Sequence, residues 1–150
     1  MNTLIVFGAS YLIWIIVVVA LVYLVFSKEW KRLGIFAAIS LVAAYAVGKV
    51  AGHFWYNPRP FVSDGVTPLI SHAATNGFPS DHMLMGATIA TIIFVYNRTL
   101  GSILWILALA VGVARVAAGV HHWIDLVGAI VIAICVVAAV EYLLRRSGIL

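Results

Sequence analysis

LGSILWILALAVGVARVAAGVHHWIDLVGAIVIAICVVAAVEYLL, residues 100–144, joins two long apolar runs, with a cluster of ionisable residues at the junction. The first run extends from about Leu100 to Ala118 and the second from about Ile124 to Leu144. Each approaches or reaches the about 20 apolar residues a helix needs to cross a bilayer. The runs are continuous rather than alternating, which favours helices over strands. Toward the N-terminus three more candidates follow the same logic: about Leu4 to Phe26, about Ile35 to Phe54, and a short one from His82 to about Tyr96. The expected fold is all-α, a polytopic membrane helix bundle of about five spans, forming a single domain over residues 1–150. Gly and Ala scattered through the second, fourth and fifth spans suit close helix packing.

Composition agrees. The chain is 65% hydrophobic and only 9% charged, against about 25% charged in a typical soluble domain. The formal charge of +4 comes from basic residues at helix ends rather than in a patch, which speaks against nucleic acid as a partner. The one cysteine, Cys135, lies in the last apolar run. It can form no disulfide within the chain, is expected as a packed thiol, and carries no information on redox compartment. The start, MNTLIVFGAS, has no basic segment ahead of its apolar run, so that run is expected to be a retained span rather than a cleaved signal.

Basic residues set the expected orientation. Lys28, Lys31 and Arg32 follow span one, Arg98 follows span three, and Arg145 and Arg146 follow span five. If all five segments cross, these ends share one side, which the positive-inside rule makes cytoplasmic. The opposite, outer side receives the loop Trp55 to Ser80 and the turn Val120 to Trp123. Arg59 and Arg115 break the rule there, and ionisable groups at membrane depth are costly and usually functional.

Three stretches carry the polar residues of that side. In NPRPF, residues 57–61, prolines on both sides of Arg59 fix the backbone and aim a planar guanidinium that can meet two phosphate oxygens. The motif alone would also suit an arginine reaching for lipid headgroups. In PSDH, residues 79–82, Ser80 is expected to cap a helix whose first turn carries Asp81 and His82; free N–H groups at such an end form an anion site. An ordinary capped helix with an interfacial histidine is the simpler alternative. In ARVAAGVHHWID, residues 114–125, Asp125 is four residues after His121. The carboxylate can therefore accept from the imidazole, fix its tautomer and leave the other nitrogen free to attack. Arg115 precedes His121 by six residues, across Gly119. A solvated turn with chance histidines is the bland reading. Together, two arginines, a helix N-terminus, one oriented and one free histidine suit phosphoryl transfer without a metal or cofactor.

These stretches resemble the motifs of the type-2 phosphatidic acid phosphatase superfamily, membrane lipid phosphatases that share a site with vanadium haloperoxidases. The family pattern is a Lys ahead of Arg-Pro, then Pro-Ser-Gly-His, then Ser-Arg followed by His and Asp. The matches are Arg59-Pro60, Pro79 to His82, and Arg115, His121 and Asp125, across roughly Lys49 to Asp125. The resemblance implies His121 as nucleophile through a phosphohistidine, His82 as general acid and Asp125 as orienter. It implies Arg59, Arg115 and Ser80 as phosphate ligands, with Asp81 and Lys49 beside them. Three positions depart from it. The family lysine falls on Gly52, with Lys49 one helical turn earlier; Ala114 stands for the serine; and Asp81 stands for the glycine. The family usually has six spans, and five are counted here.

The stretch SHAATNGFPSDH, residues 71–82, looks like the branch that dephosphorylates undecaprenyl diphosphate. The expected activity is hydrolysis of a lipid (di)phosphate in the plasma membrane, on its outer face, with polyprenyl or phospholipid phosphate and membrane lipid as partners and homo-oligomerisation left open. Phosphatidate or phosphatidylglycerol phosphate is the alternative substrate. From another class, the five histidines could ligate zinc in a metal-binding or transport protein, although no Cys or acidic ligand set accompanies them and two arginines would repel a cation. A degenerate family member acting as a binding partner is a third reading, opposed by the intact His121, Asp125, Arg59 and Arg115.

Overall fold

Every apolar run becomes helix. The computed structural model describes residues 1–150, with α1 (Asn2–Ser10), α2 (Leu12–Phe26), α3 (Trp30–Phe54), α4 (Pro60–Ser63), α5 (Asp81–Tyr96), α6 (Arg98–Ala117) and α7 (Trp123–Arg146). Local chemistry sets several ends. Asn97 caps α6, its Oδ1 accepting from Leu100 N at 3.0 Å, a cap of the usual amide type. Pro60 opens α4, where a missing N–H costs nothing. Between α6 and α7 the chain turns at Gly119, whose φ of +73° lies in the left-handed region that other residues avoid.

The first expected span is broken. α1 and α2 meet at Tyr11 with a bend of 42°. At the break, Arg115 donates from Nη1 to the carbonyl of Ala9 at 3.2 Å. A side chain entering the backbone ladder is an identifiable cause of such a kink. α3, α6 and α7 are long and apolar enough to cross a membrane, and the bent pair can make a fourth span. α5 is apolar but only 16 residues long, short of the about 20 that a span needs; counting five crossings requires this short helix.

α5 is the central helix. It packs against α2, α3, α6 and α7, and nine of its residues are buried. The core runs along it through Met83, Ile92, Leu104, Val111, Phe36 and Val137. Large apolar side chains such as Trp14, Val42, Ile106 and Leu143 face outward instead, as suits a bundle whose solvent is hydrocarbon. Cys135 corrects the expectation of a packed thiol: it is exposed on α7, because Ala133 and Val137 turn the inward face of that helix to the core. At one end of the bundle Arg98, Glu141 and Arg145 surround a common cleft. The polar loop residues and the start of α5 gather at the other end.

Candidate active site

The loop between α3 and α5 is tied down by its own backbone and amides. Gly77 N donates to Asn57 O at 2.8 Å, and Leu69 N donates to Ala118 O at 3.0 Å. Asn76 accepts from Asn57 N through Oδ1 at 2.9 Å and donates from Nδ2 to Gly52 O at 2.7 Å. This lattice seats Arg59 over the α6–α7 turn. Arg59 Nη1 donates to Val120 O at 2.8 Å, and Nη2 donates to Asn76 O at 3.2 Å.

His121 sits in that turn and is buried. Its Nδ1 is 3.3 Å from Asp125 Oδ2, and its Nε2 is 3.2 Å from Arg59 Nη1. A neutral imidazole satisfies both contacts with the proton on Nδ1, donated to the carboxylate, and the lone pair on Nε2 facing the guanidinium. Burial, with help from the Arg59 and Arg115 charges, holds the imidazolium below its ordinary range, while Asp125 pulls the other way. Asp125 is fully buried. Its Oδ2 also accepts from His122 N at 2.9 Å, and its Oδ1 accepts from Asn57 Nδ2 at 2.7 Å.

α5 starts against the same residue, Ser80 N donating to Asp125 O at 3.2 Å. Ser80 occupies the N-cap position, but its side chain makes no cap bond. The expectation of a side-chain cap is therefore corrected: Oγ is buried and unpartnered, because the residue is pinned through its backbone to α7. The N–H groups of the first turn are left without a side-chain partner. Arg59 Nε and Arg115 Nε are also buried without partners. Three of the four unpartnered buried side-chain atoms thus belong to residues singled out from sequence for phosphate, the fourth being Ser40 Oγ. Such orphans cost about 1–3 kcal/mol each, and a native structure that keeps them calls for an explanation, such as a ligand.

Above Arg59 opens a polar cleft of about 490 Å³ whose lining includes Lys49, His53, Arg59, His72 and Asp81. Lys49 Nζ is paired with Asp81 Oδ1 at 3.3 Å, both side chains more than half exposed. Gly52, at the family's lysine position, lines the same cleft, but a Cβ there would lie 2.7 Å from Phe78 O. The backbone of α3 is thus packed on the loop where that lysine would stand. His82 is half-buried beside Asp81 and lines an adjoining cavity. The zinc alternative would need a converging ligand set, and no group of three His, Cys, Asp or Glu is arranged to hold a metal ion.

The model of the PAP2 superfamily matches residues 33–148, nearly the whole chain after the bent pair. The chain belongs to the PAP2 superfamily. Its PAP2 relatives include the bacitracin transport permease protein BcrC of Bacillus licheniformis, 34% identical over 127 residues. The undecaprenyl-diphosphatase BcrC of Bacillus subtilis strain 168 is 31% identical over 137 residues. These alignments cover 83% and 91% of this chain, but 63% and 71% of the relatives' own lengths. The crystal structure of Aquifex aeolicus LpxE has a similar fold, with a TM-score of 0.72 at 23% identity over 93% of this chain and 82% of that one. With its apolar helices, the chain is a multi-pass membrane protein of the PAP2 type.

Within this PAP2 frame Arg59, His121 and Asp125 form one bonded array, and Ser80 joins it through its backbone. Arg115 is buried nearby but spends Nη1 on α1, and Lys49 and Asp81 pair at the cleft's open edge. Asn57, the first residue of the NPRPF stretch and given no role by the sequence, holds Asp125 directly. The signal available was its place immediately before Pro58 and Arg59, in a segment of fixed backbone.

Proposed function

We propose that this chain is a lipid phosphatase acting on undecaprenyl diphosphate, which it converts to undecaprenyl phosphate and inorganic phosphate. The observation that carries the reading is the buried array in which Asp125 holds His121 Nδ1 while Nε2 faces Arg59, at 3.3 and 3.2 Å. Membership of the PAP2 superfamily and a relative named undecaprenyl-diphosphatase support it.

Nε2 of His121 attacks the terminal phosphorus, and the bond from that phosphorus to the bridging oxygen breaks. The lipid monophosphate leaves with a proton from His82, forming the phosphohistidine. Water then attacks the phosphohistidine, gives a proton back to His82 and releases inorganic phosphate, restoring His121. Arg59, Arg115, Ser80 Oγ and the free amides at the start of α5 stabilise the equatorial oxygens. The orphaned Nε and Oγ donors find partners there, and Arg59 turns its Nη1 from the imidazole to phosphate. The two guanidiniums supply the positive charge, so the step needs no metal. Lys49 neutralises Asp81 beside the anion. The active end faces the outside of the plasma membrane, opposite the basic helix ends.

The test is turnover of purified protein on undecaprenyl diphosphate, phosphatidate and phosphatidylglycerol phosphate, with and without EDTA, together with trapping of labelled phosphoenzyme by quenching in alkaline detergent. Preferred release of phosphate from the diphosphate, EDTA resistance and an acid-labile label lost in His121→Ala are expected. A metal-restored activity, or a label that survives in His121→Ala, overturns the mechanism.

A further inference from the structure

A second histidine stands beside the nucleophile with partners of its own. His122 follows His121 directly, at the N-cap of α7, and its side chain takes no part in the phosphoryl transfer. Its Nδ1 lies 3.2 Å from Asn57 Nδ2, and its Nε2 lies 3.1 Å from Asp64 Oδ2. Asn57 Nδ2 is in turn 2.7 Å from Asp125 Oδ1, and Asp125 Oδ2 is 3.3 Å from His121 Nδ1. Asp64, just past α4, is thereby connected to the nucleophile by four polar contacts. They cross back and forth between the loop after α3 and the start of α7.

The protons along this array can be placed one after another. An ionised carboxylate only accepts, so the Asn57 amide must present its NH2 to Asp125. The second hydrogen of that group then points at His122 Nδ1, which must carry the lone pair. A neutral imidazole has one N–H, so the proton of His122 sits on Nε2 and is donated to Asp64. Asp64 Oδ1 also accepts from Ser63 Oγ at 2.5 Å. That bond first, and then the one from His122, hold the Asp64 carboxyl below its ordinary range, which keeps it an acceptor. The two neighbouring histidines therefore have opposite tautomers. His121 is protonated on Nδ1 and attacks through Nε2; His122 is protonated on Nε2 and accepts through Nδ1. The bond a ring nitrogen makes decides which tautomer is present. In the other tautomer His122 would set N–H against N–H at Asn57 and turn that amide away from Asp125. Asn57 is the only protein donor to Asp125 Oδ1, so the carboxylate would lose its hold on that side.

We infer that Asp64 and His122 are positioning residues for the phosphoryl transfer. Asp64 selects the Nε2–H tautomer of His122, and His122 aims the Asn57 amide at Asp125, which keeps His121 Nε2 turned toward phosphorus. The kinetic consequence rests on the phosphatase reading, whereas the tautomers do not.

The first test needs no activity. In protein carrying isotope-labelled histidine in detergent micelles, the ring-nitrogen NMR shifts report each tautomer at a pH where the rings are neutral. The His122 signals are those that vanish in His122→Asn. A ring protonated on Nε2 is expected in the wild type, with a shift toward the Nδ1–H form in Asp64→Ala. A wild-type ring protonated on Nδ1, or one that Asp64→Ala leaves unchanged, overturns the relay. The second test is steady-state turnover on undecaprenyl diphosphate and p-nitrophenyl phosphate. His122→Phe and Asp64→Ala should each lower kcat about three- to tenfold on both substrates, the equivalent of one net hydrogen bond, with KM unchanged. His122→Asn, whose Oδ1 can replace Nδ1 as acceptor, should lose less than His122→Phe. In an Asn57→Ala background, Asp64→Ala should cause no further loss, because residues of one network are not additive. Losses that multiply, or a rise in KM alone, overturn the positioning role. If His122→Phe does not fold, Asp64→Ala, at a side chain 52% exposed, decides the kinetic test with its double variant. The expected tautomers in a protein that hydrolyses neither substrate would sink the phosphatase reading and keep the relay. Hydrolysis with His122 protonated on Nδ1 would do the reverse.

Discussion

Asn57 Nδ2 lies 2.7 Å from Asp125 Oδ1, across 68 residues of sequence. The bond joins the loop after α3 to the first turn of α7 and fixes the carboxylate that in turn holds His121. Replacing Asn57 by Ala should lower kcat about tenfold or more through misorientation of the imidazole, with KM little changed. Asn57→Asp should be worse, since it sets a second carboxylate against Asp125. Steady-state kinetics on both variants, with circular dichroism as a folding control, checks this; a pure KM effect would assign Asn57 to substrate binding instead.

His121 and His82 have different neighbours and should fail differently. His121→Ala should abolish turnover on lipid diphosphate and on p-nitrophenyl phosphate alike. His82→Ala should cost about 10²–10⁴-fold, the usual worth of a general acid, and less for a leaving group that needs no proton. Turnover of both variants on both substrates decides the roles. Rescue of His121→Ala by the good leaving group would exchange or remove them.

Burial first, then the Arg59 and Arg115 charges, lower the His121 pKa from its ordinary 6.5. A lowered value favours the neutral, nucleophilic ring, so activity should persist through pH 6.5 and the acid limb of kcat/KM should lie below it. Asp125 raises that pKa by its hydrogen bond. Asp125→Asn should therefore move the limb further toward acid while lowering kcat. A pH profile whose limb shifts upward in this variant would contradict the assignment.

Gly52 should not accept the lysine its family carries. A Cβ there meets Phe78 O at 2.7 Å, and overpacking of this kind costs about 1–3 kcal/mol. Gly52→Lys is expected to lower the thermal midpoint in detergent and to lose activity, while Lys49→Met should leave the midpoint unchanged and raise KM for diphosphate. Full activity with unchanged stability in Gly52→Lys would show that the loop yields.

The basic helix ends predict sidedness. A cysteine at Ser63, introduced in a background where Cys135 is Ala, should react with an impermeant maleimide in intact cells. One at Ser147 should react only after permeabilisation. The opposite pattern would put the active end inside.

The sequence by itself determined the helices, the family and the polar residues to watch. Unbroken apolar runs allow only helices in a bilayer, and the step of four residues from His121 to Asp125 pointed to their contact, although His121 lies outside α7, one residue before its N-cap His122. Arg59, Ser80 and Arg115 were legible because ionisable and capping residues stand out in a chain this apolar. Tertiary structure alone decided the rest, because it turns on contacts between segments far apart in the chain. Arg115 reaches back to Ala9, at the break in the first span. Ser80 loses its expected cap because its backbone is held by Asp125. Cys135 faces outward because Ala129, Ala133, Val137 and Val140, at three and four residue steps, form the inner face of α7. Asn57 becomes part of the site only when α7 is brought against the loop, and no local periodicity encodes a hydrogen bond across 68 residues.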